Sequence, residues 1–368
     1  MDKKYNFTDR EEHWRNFWEK EDIYKFDEKS DKPIYSVDTP PPYVSADHLH
    51  TGHIMSYSQA EFIVRYKRMQ GFNVFYPMGF DDNGLPTERY VEKKYNIDKS
   101  KISRKDFIEK CLEETKIGAK NYQDLWRSLG ISVDWTKTYS TINEHCQKIS
   151  QWSFLDLHKK GKIYRAEKPV LWCTHCQTAI SQADLEAEER KSKFYYIKAK
   201  SETGKELVFA TTRPELLPAC MGMSVNPKDE RYKDLIGTSV ILPITKQRVS
   251  IYSNEKVDMK LGTGVVYYCS FGGNDDIEWL VEHPEAKAIH ILDTQGKFND
   301  LAGKYAGMST GDAREKIIED LQKEDAIEKI EDKKNVTFTH ERCGTDVEYI
   351  MTENWFIDVL SAKKELLQ

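Results

Sequence analysis

Residues Pro33 to Thr39 read as an extended segment, Pro-Ile-Tyr-Ser-Val-Asp-Thr, that runs into three consecutive prolines, Pro40, Pro41 and Pro42. After His50-Thr51-Gly52-His53 the pattern turns helical from Ile54 to Met69 and is closed by Gly71. A second extended run, Phe72 to Tyr76, follows at once. Strand, turn, helix and strand at this length form a βαβ unit, which implies a right-handed crossover and a parallel sheet. The loops leaving its two strands fall at the carboxyl edge, where open α/β sheets take their ligands. One loop carries the His pair and the other carries Asp81, Asp82, Asn83 and Gly84.

Around this unit the chain predicts an opening helix capped by Thr8 with Glu11, which places Trp14, Phe17 and Trp18 on one face as a packing arm. A long helix starts at Ser103, with Asp106 at capping distance, and runs toward Leu129-Gly130. Another spans Glu144 to Lys160 and stops at Gly161. From Phe194 the texture changes to short apolar alternations at 194–199, 206–211, 239–244 and 264–269, which mark a separate strand-rich domain. A chain of 368 residues has room for two or three cores.

Composition narrows the function classes. No apolar run approaches the roughly 18–20 residues needed to cross a bilayer, and the first residues carry no secretory pattern, so no membrane and a cytoplasmic location are expected. A net charge of -6 argues against a uniformly basic coat but leaves room for a local nucleic-acid groove. Seven cysteines in such a chain point to metal binding or burial rather than disulfides.

Two constellations carry chemistry on spacing alone. His50 and His53 stand at a helix start, where imidazoles and the helix dipole face an anion, with Gly52 letting a bulky ligand approach the backbone. Half of a metal site is the competing reading of that pair. Cys173-Thr174-His175-Cys176 and His340-Glu341-Arg342-Cys343 each have the spacing that lets one turn direct two ligands at a tetrahedral Zn²⁺. Cys173, Cys176, His340 and Cys343 would complete one closed structural site, with His175 as a competing ligand. The long separation of the two pairs makes sense if the metal clips the stalks of an inserted domain.

Pro40-Pro41-Pro42-Tyr43-Val44 followed by His50-Thr51-Gly52-His53, and then Pro77-Met78-Gly79-Phe80-Asp81-Asp82-Asn83-Gly84, resembles the class I aminoacyl-tRNA synthetases, within them the valine branch of the archaeal type. The resemblance implies a Rossmann-like catalytic core, ATP with Mg²⁺ as substrate, valine and tRNA(Val) as partners, and a monomeric full-length enzyme. By the same resemblance His50, Gly52 and His53 hold the ATP phosphates. Backbone near Pro41 and Pro42 and the carboxylate of Asp81 would hold the ammonium of the amino acid, with Asp82 as the rival acid. Trp355 would wall the valine pocket, its alternative being a core aromatic, and Trp135 packs nearby. Thr211-Thr212-Arg213-Pro214-Glu215 and the stretch from Gly262 to Asp276 resemble the two segments of an editing site. There Thr211, Thr212, Arg213 and Glu215 would orient a misacylated ester and Asp276 its ammonium. Tyr267 stands where bacterial relatives commonly carry lysine, and His340 where the family often has a fourth cysteine.

The expected organisation is a first catalytic part at 1–190, an α/β editing insertion at 191–332, and a return stalk at 333–368. No Lys-Met-Ser-Lys-Ser segment occurs, so the chain is read as truncated before that signature and inactive in activation. Isoleucine or leucine specificity, and a zinc-stabilised RNA-binding protein without catalysis, are the competing readings.

Overall fold

The structure is a computed structural model that describes residues 6–44 and 51–368. The chain divides into two compact units, Met1–Ile163 and Tyr164–Gln368.

The first unit runs α1 (Phe7–Lys20), β1 (Ile34–Ser36), α2 (Thr51–Met69), β2 (Asn73–Phe75), β3 (Gly79–Phe80), α3 (Leu85–Tyr95), α4 (Arg104–Ser128), β4 (Tyr139–Ser140) and α5 (Glu144–Lys159). Strands β1 and β2 pair in parallel, Ile34 against Asn73, with α2 as the crossover between them. Gly71 at φ +88° lets the chain leave α2 and turn directly into β2. A second parallel pair joins β3 to β4. Trp126, Tyr57, Val64, Val74 and Tyr76 are buried at the centre, with the Tyr57 and Trp126 rings 4.4 Å apart. Glu61 is buried here as well. Its carboxylate accepts from the Ser132 N–H at 2.9 Å and from Arg65 Nε at 2.6 Å, so the charge is compensated where it is desolvated.

Three expectations shift. Helix α1 is capped by Asn6, whose Nδ2 donates to Asp9 at 2.6 Å, and Thr8 lies inside the helix. On its face only Trp18 is partly covered, beneath the Arg65 guanidinium, while Trp14 and Phe17 are exposed. Helix α2 begins at Thr51 rather than Ile54, so Gly52 and His53 belong to its first turn. By contrast Ser103 does cap α4, accepting from the Asp106 N–H at 3.2 Å.

The second unit contains β5 (Ile163–Cys173, whose first residue belongs to the first unit), β6 (Thr178–Ala179), β7 (Leu185–Ser201), β8 (Glu206–Thr211), β9 (Cys220–Val225), β10 (Ser239–Ile241), β11 (Arg248–Ser253), β12 (Val265–Cys269), α6 (Asn274–Glu282), α7 (Thr310–Lys323), β13 (Ile327–His340), β14 (Val347–Ile357) and α8 (Lys363–Leu366). Its main sheet has the order β12-β9-β11-β10-β7-β13, with β8 also on β7. Strands β7 and β13 pair antiparallel from Ile197 opposite Ile327 to Leu185 opposite His340, forming a long two-stranded ribbon that passes residues 191 and 332 without a break. The core beneath the sheet is closed by α7 through Ala313, Ile317 and Leu321. A smaller sheet, β14-β5-β6, adjoins the ribbon through a bridge between Thr339 and Asp346.

Candidate functional site

Two turns of like geometry bring the metal-type residues together. Strand β5 ends at Cys173, and the chain folds back so that Gln177, at φ +54°, donates its N–H to the Cys173 carbonyl at 2.8 Å. Strand β13 ends at His340, and Gly344, at φ +66°, donates likewise to the His340 carbonyl at 2.8 Å. In each, the residue after the second ligand is left-handed, which turns the pair toward one point.

The ligand atoms of Cys173, Cys176, His340 and Cys343 all lie within 4.8 Å of one another. Cys173 and Cys343 sulfurs are 3.5 Å apart, and His340 Nδ1 is 3.6 Å from Cys176 Sγ and 3.4 Å from Cys343 Sγ. A tetrahedral zinc with Zn–S near 2.3 Å needs sulfurs about 3.7 Å apart, whereas a disulfide needs about 2.05 Å. The cluster therefore fits a four-ligand ion with no open position, and all seven cysteines are free thiols. His175 is exposed and outside the cluster.

Thr212, Arg213 and Glu215 line a cavity of about 980 Å³ together with Gly272, Gly273 and Asn274. Arg213 bridges the two segments directly, donating from Nη1 to the Gly272 carbonyl at 3.3 Å. Thr211 is buried, and its hydroxyl accepts from the Arg213 N–H at 3.0 Å, so it shapes the turn rather than facing the cavity. Glu215 is 1% exposed. One of its oxygens accepts from Arg213 Nε at 2.9 Å, and Arg314 grips both at 2.8 Å. Arg213 Nη2 reaches both oxygens of Glu348 on β14 at 2.9 Å. Burial alone would push the Glu215 carboxyl up, but Arg314 and Arg213 hold it below its usual value. What Glu215 presents to the cavity is thus an ion pair, and its visible work is holding two guanidiniums.

Asp276, in the first turn of α6, sits behind the glycines and is not in the cavity lining. Its Oδ1 accepts from the Cys269 N–H at 2.9 Å. A Cβ at Gly272 would lie 2.4 Å from Cys269 Sγ and 2.9 Å from Asp276 Oδ2, so only glycine permits this approach. Burial pushes the Asp276 carboxyl up to about 7, against the opposing effect of the Cys269 N–H and Arg213. Asp275 is exposed. Phe271, just before the glycines, is buried at φ +61° and stacks on His290 with ring centres 4.8 Å apart. A bulky residue held in that region costs about 1–3 kcal/mol, and such strain concentrates at functional sites. Tyr267 stacks on Phe209 at 5.1 Å with its hydroxyl buried, so it supplies no cation in place of lysine.

In the first unit His50 lies outside the described residues. His53 is half-buried, its ring centre 6.2 Å from that of Tyr122, and Gly52 is exposed. The Pro42 carbonyl accepts from the Asp81 N–H at 2.9 Å, and Pro41 is partly exposed beside it. Thr141 donates its hydroxyl to Asp81 at 3.0 Å and accepts from the Asp82 N–H at 3.2 Å. Asp82 Oδ1 is buried without a hydrogen-bond partner among the described residues, and burial raises its carboxyl. A hydrogen bond with the Ser140 side chain opposes that rise, so Asp81 and Asp82 each have one side-chain partner. In the second unit Trp355 on β14 is 51% exposed, with Arg165 6.0 Å from its ring centre, so it is not a core aromatic.

Sequence reasoning missed Arg314 and Glu348. Neither sits in a motif, and only their being charged beside apolar runs in α7 and β14 hints at buried partners.

Residues 13–368 match the family described as tRNA synthetases class I (I, L, M and V). The chain is 45% identical over 360 residues to the valine--tRNA ligase of Methanocaldococcus jannaschii, covering 98% of this chain and 41% of that protein. It is 43% identical over 368 residues to the valine--tRNA ligase of Rickettsia prowazekii, covering 100% and 45%. With that of Haloarcula marismortui the identity is 39% over 377 residues, covering 100% and 41%. The chain thus spans less than half the length of these relatives. Among solved structures, a ternary complex of the Agrobacterium radiobacter K84 agnB2 LeuRS with tRNA aligns at 18% identity and a TM-score of 0.46, covering 90% of this chain and 48% of that one.

Proposed function

The chain belongs to the class I tRNA synthetases of the isoleucine, leucine, methionine and valine group, and from that premise we propose that it is part of a cytoplasmic enzyme that activates valine with ATP and Mg²⁺, charges tRNA(Val), and hydrolyses threonyl-tRNA(Val). Support for valine comes from the relatives above, which are valine--tRNA ligases along the whole of this chain. The editing step is carried by one observation: Arg213 joins the threonine-rich loop to the Gly272 segment across the shared cavity.

In this reading the first part, 1–190, holds ATP phosphates through His50, Gly52 and His53, which neutralise charge as it develops. Asp81, with the backbone at Pro41 and Pro42, takes the valine ammonium, and Trp355 bounds the valine side chain. An apolar pocket rejects isosteric threonine only about a hundredfold, so a second, hydroxyl-seeking site is required. The insertion at 191–332 supplies it. Thr212 and Arg213 orient the ester, Thr211 fixes their turn, Glu215 fixes Arg213, and Asp276, which lies against the Gly272 segment, is assigned the ammonium. Cys173, Cys176, His340 and Cys343 hold one Zn²⁺, which would fix the ends of β5 and β13 and take no part in the reaction.

The test is single-turnover deacylation of threonyl-tRNA(Val) by this chain, with valyl-tRNA(Val) as control. Selective loss of the threonyl ester, reduced by Asp276→Ala, is expected. Equal hydrolysis of both esters would overturn the editing assignment. For the full-length enzyme, ATP–pyrophosphate exchange with valine, isoleucine and leucine in turn would decide specificity.

A further inference from the structure

Strand β14 lies wholly beyond the insertion expected at 191–332, yet it reaches both of the segments assigned to editing. Glu348 takes Arg213 of the threonine-rich loop, and the Tyr349 hydroxyl donates to Asn274 Oδ1 at the first residue of α6. Both side chains line the cavity of about 980 Å³. Successive residues leave a strand on opposite faces, so two such contacts hold β14 against rotation as well as sliding. The strand enters from a pinned turn, where Thr339 bridges Asp346 and Arg190 Nη1 donates to Asp346 at 2.6 Å. The Glu348 side chain is 11% exposed, and among the described residues Arg213 is its only ionic partner.

A guanidinium offers five N–H donors in one plane. In Arg213, Nε gives one to Glu215, Nη1 gives one to the Gly272 carbonyl, and Nη2 gives two, one toward each oxygen of Glu348. Among the described residues one N–H is left, on Nη1 beside Gly272, and its direction follows from the plane that the other four fix. Burial alone would lower the Arg213 guanidinium, but Glu348 and then Glu215 hold it above its ordinary value. Glu215 does not set that plane alone, because Arg314 already grips both of its oxygens and Nε is the inner nitrogen of the group. Glu348 holds the far end. We propose that Glu348 is a positioning residue for ester hydrolysis, setting the Arg213 plane so that the remaining Nη1–H meets the ester, and that β14 thereby completes the editing site from outside the insertion. The inference rests on the editing reading for its reaction, but not for the clasp itself.

Single-turnover deacylation of threonyl-tRNA(Val) by this chain reads the effect, as a saturating rate constant and a half-saturating enzyme concentration. E348A should lower the rate constant on the order of 10- to 100-fold, the scale of a misplacement of about 1 Å. Half-saturation should stay within about twofold, since the lost aim is felt mainly in the transition state. E348Q, which keeps the length and one acceptor oxygen, should fall between E348A and wild type. Y349F should slow the reaction less, roughly two- to tenfold. E353Q, which removes an exposed acid of the same strand paired with Arg165, should be unchanged. In an R213K background, where no fork remains to be aimed, E348Q should have no further effect, as a double-mutant cycle measures. Thermal melts check that every variant is folded, and if E348A does not fold, E348Q and its cycle carry the same decision. A wild-type rate constant in the folded Glu348 variants would overturn the proposal. So would equal effects of E348Q in both backgrounds, the mark of a merely structural role. In parallel, amide exchange across 211–216 and 269–277 should be faster in E348A than in wild type. Threonyl-selective hydrolysis that is indifferent to Glu348 sinks the positioning role and leaves editing standing. No such hydrolysis by wild type, with exchange that depends on Glu348, sinks editing and leaves the clasp.

Discussion

The two candidate sites differ in how their polar groups are balanced. In the second unit Arg213, Glu215, Arg314 and Glu348 satisfy one another, and the cysteine–histidine cluster brings four ligand atoms to one point. In the first unit one buried Asp82 oxygen has no partner among the described residues, and α2 shows Phe62, Tyr66 and Met69 to solvent at 71%, 55% and 80% exposure. One region matches its polar groups with its own side chains and holds a cluster that could take a metal ion. The other leaves more of its polar and apolar groups unmatched among the described residues. The lesson is that preorganisation is uneven, so a lost partner should cost stability in the second unit and ligand affinity in the first.

The largest effect should come from the metal. Elemental analysis should find about one Zn²⁺ per chain, and Cys343→Ala or a strong chelator should lower the melting temperature of the second unit far more than any surface change, since ligand binding at a closed site is folding energy. A metal-free chain of equal stability would break the comparison at its strongest point. Next comes Glu215→Ala, which strands the Arg314 guanidinium beside a buried position and leaves Arg213 with Glu348 alone. It should cost about 3–5 kcal/mol in urea unfolding, and a cost below 1 kcal/mol would mean that solvent already screens the network.

A smaller effect of opposite sign is expected at Asp276. Its carboxyl is raised to about 7 in the folded protein. The associated stability is fully present below the usual carboxylate range and is lost as pH rises through about 7. Asp276→Asn should therefore melt higher than wild type at pH 8.5, by roughly 2–4 °C for an effect of about 1 kcal/mol, and not at pH 4, while hydrolysing the threonyl ester more slowly. Matching melts at both pH values would sink the buried-charge account. The smallest change sharpens the first-unit side: Asp82→Asn should leave the melting temperature within about 2 °C, in keeping with a change of roughly 0.5 kcal/mol. In the full-length enzyme the same change should raise the KM for valine if Asp82 takes the ammonium. An unchanged KM leaves Asp81 in that role.

The sequence was most readable where a local rule has no rival. Ser103 with Asp106, Gly71 after α2, and the βαβ unit each follow from capping, a left-handed exit or a connection too short for any other topology. Strand β9 was not legible. Cys-Met-Gly-Met-Ser-Val is buried on both faces and shows no alternation, and its Gly222 exists because a Cβ would lie 2.8 Å from Trp279. Strand β13 failed for the opposite reason. Along most of its length it is exposed and charged, so neither face announces itself. Helix α3 was hidden behind Gly84 and Pro86, which read as a turn but serve as a helix entry. At the site, motif spacing picked out the four residues of the cysteine–histidine cluster, and the family resemblance pointed to the two segments that meet where Arg213 reaches Gly272. It gave no sight of Arg314 and Glu348, because partners brought together by tertiary packing leave no local period.

The two cysteine–histidine turns also have a consequence in time. Cys173 and Cys343 are 170 positions apart. On a ribosome adding about 5–20 residues per second, the first pair of thiols waits roughly 10–30 s before the second pair exists. Through that interval the nascent chain offers only half a binding site, open to oxidation or to capture by a softer metal. If the four residues take a metal ion, its delivery must either tolerate a two-coordinate stage or come late, after the whole loop has been synthesised.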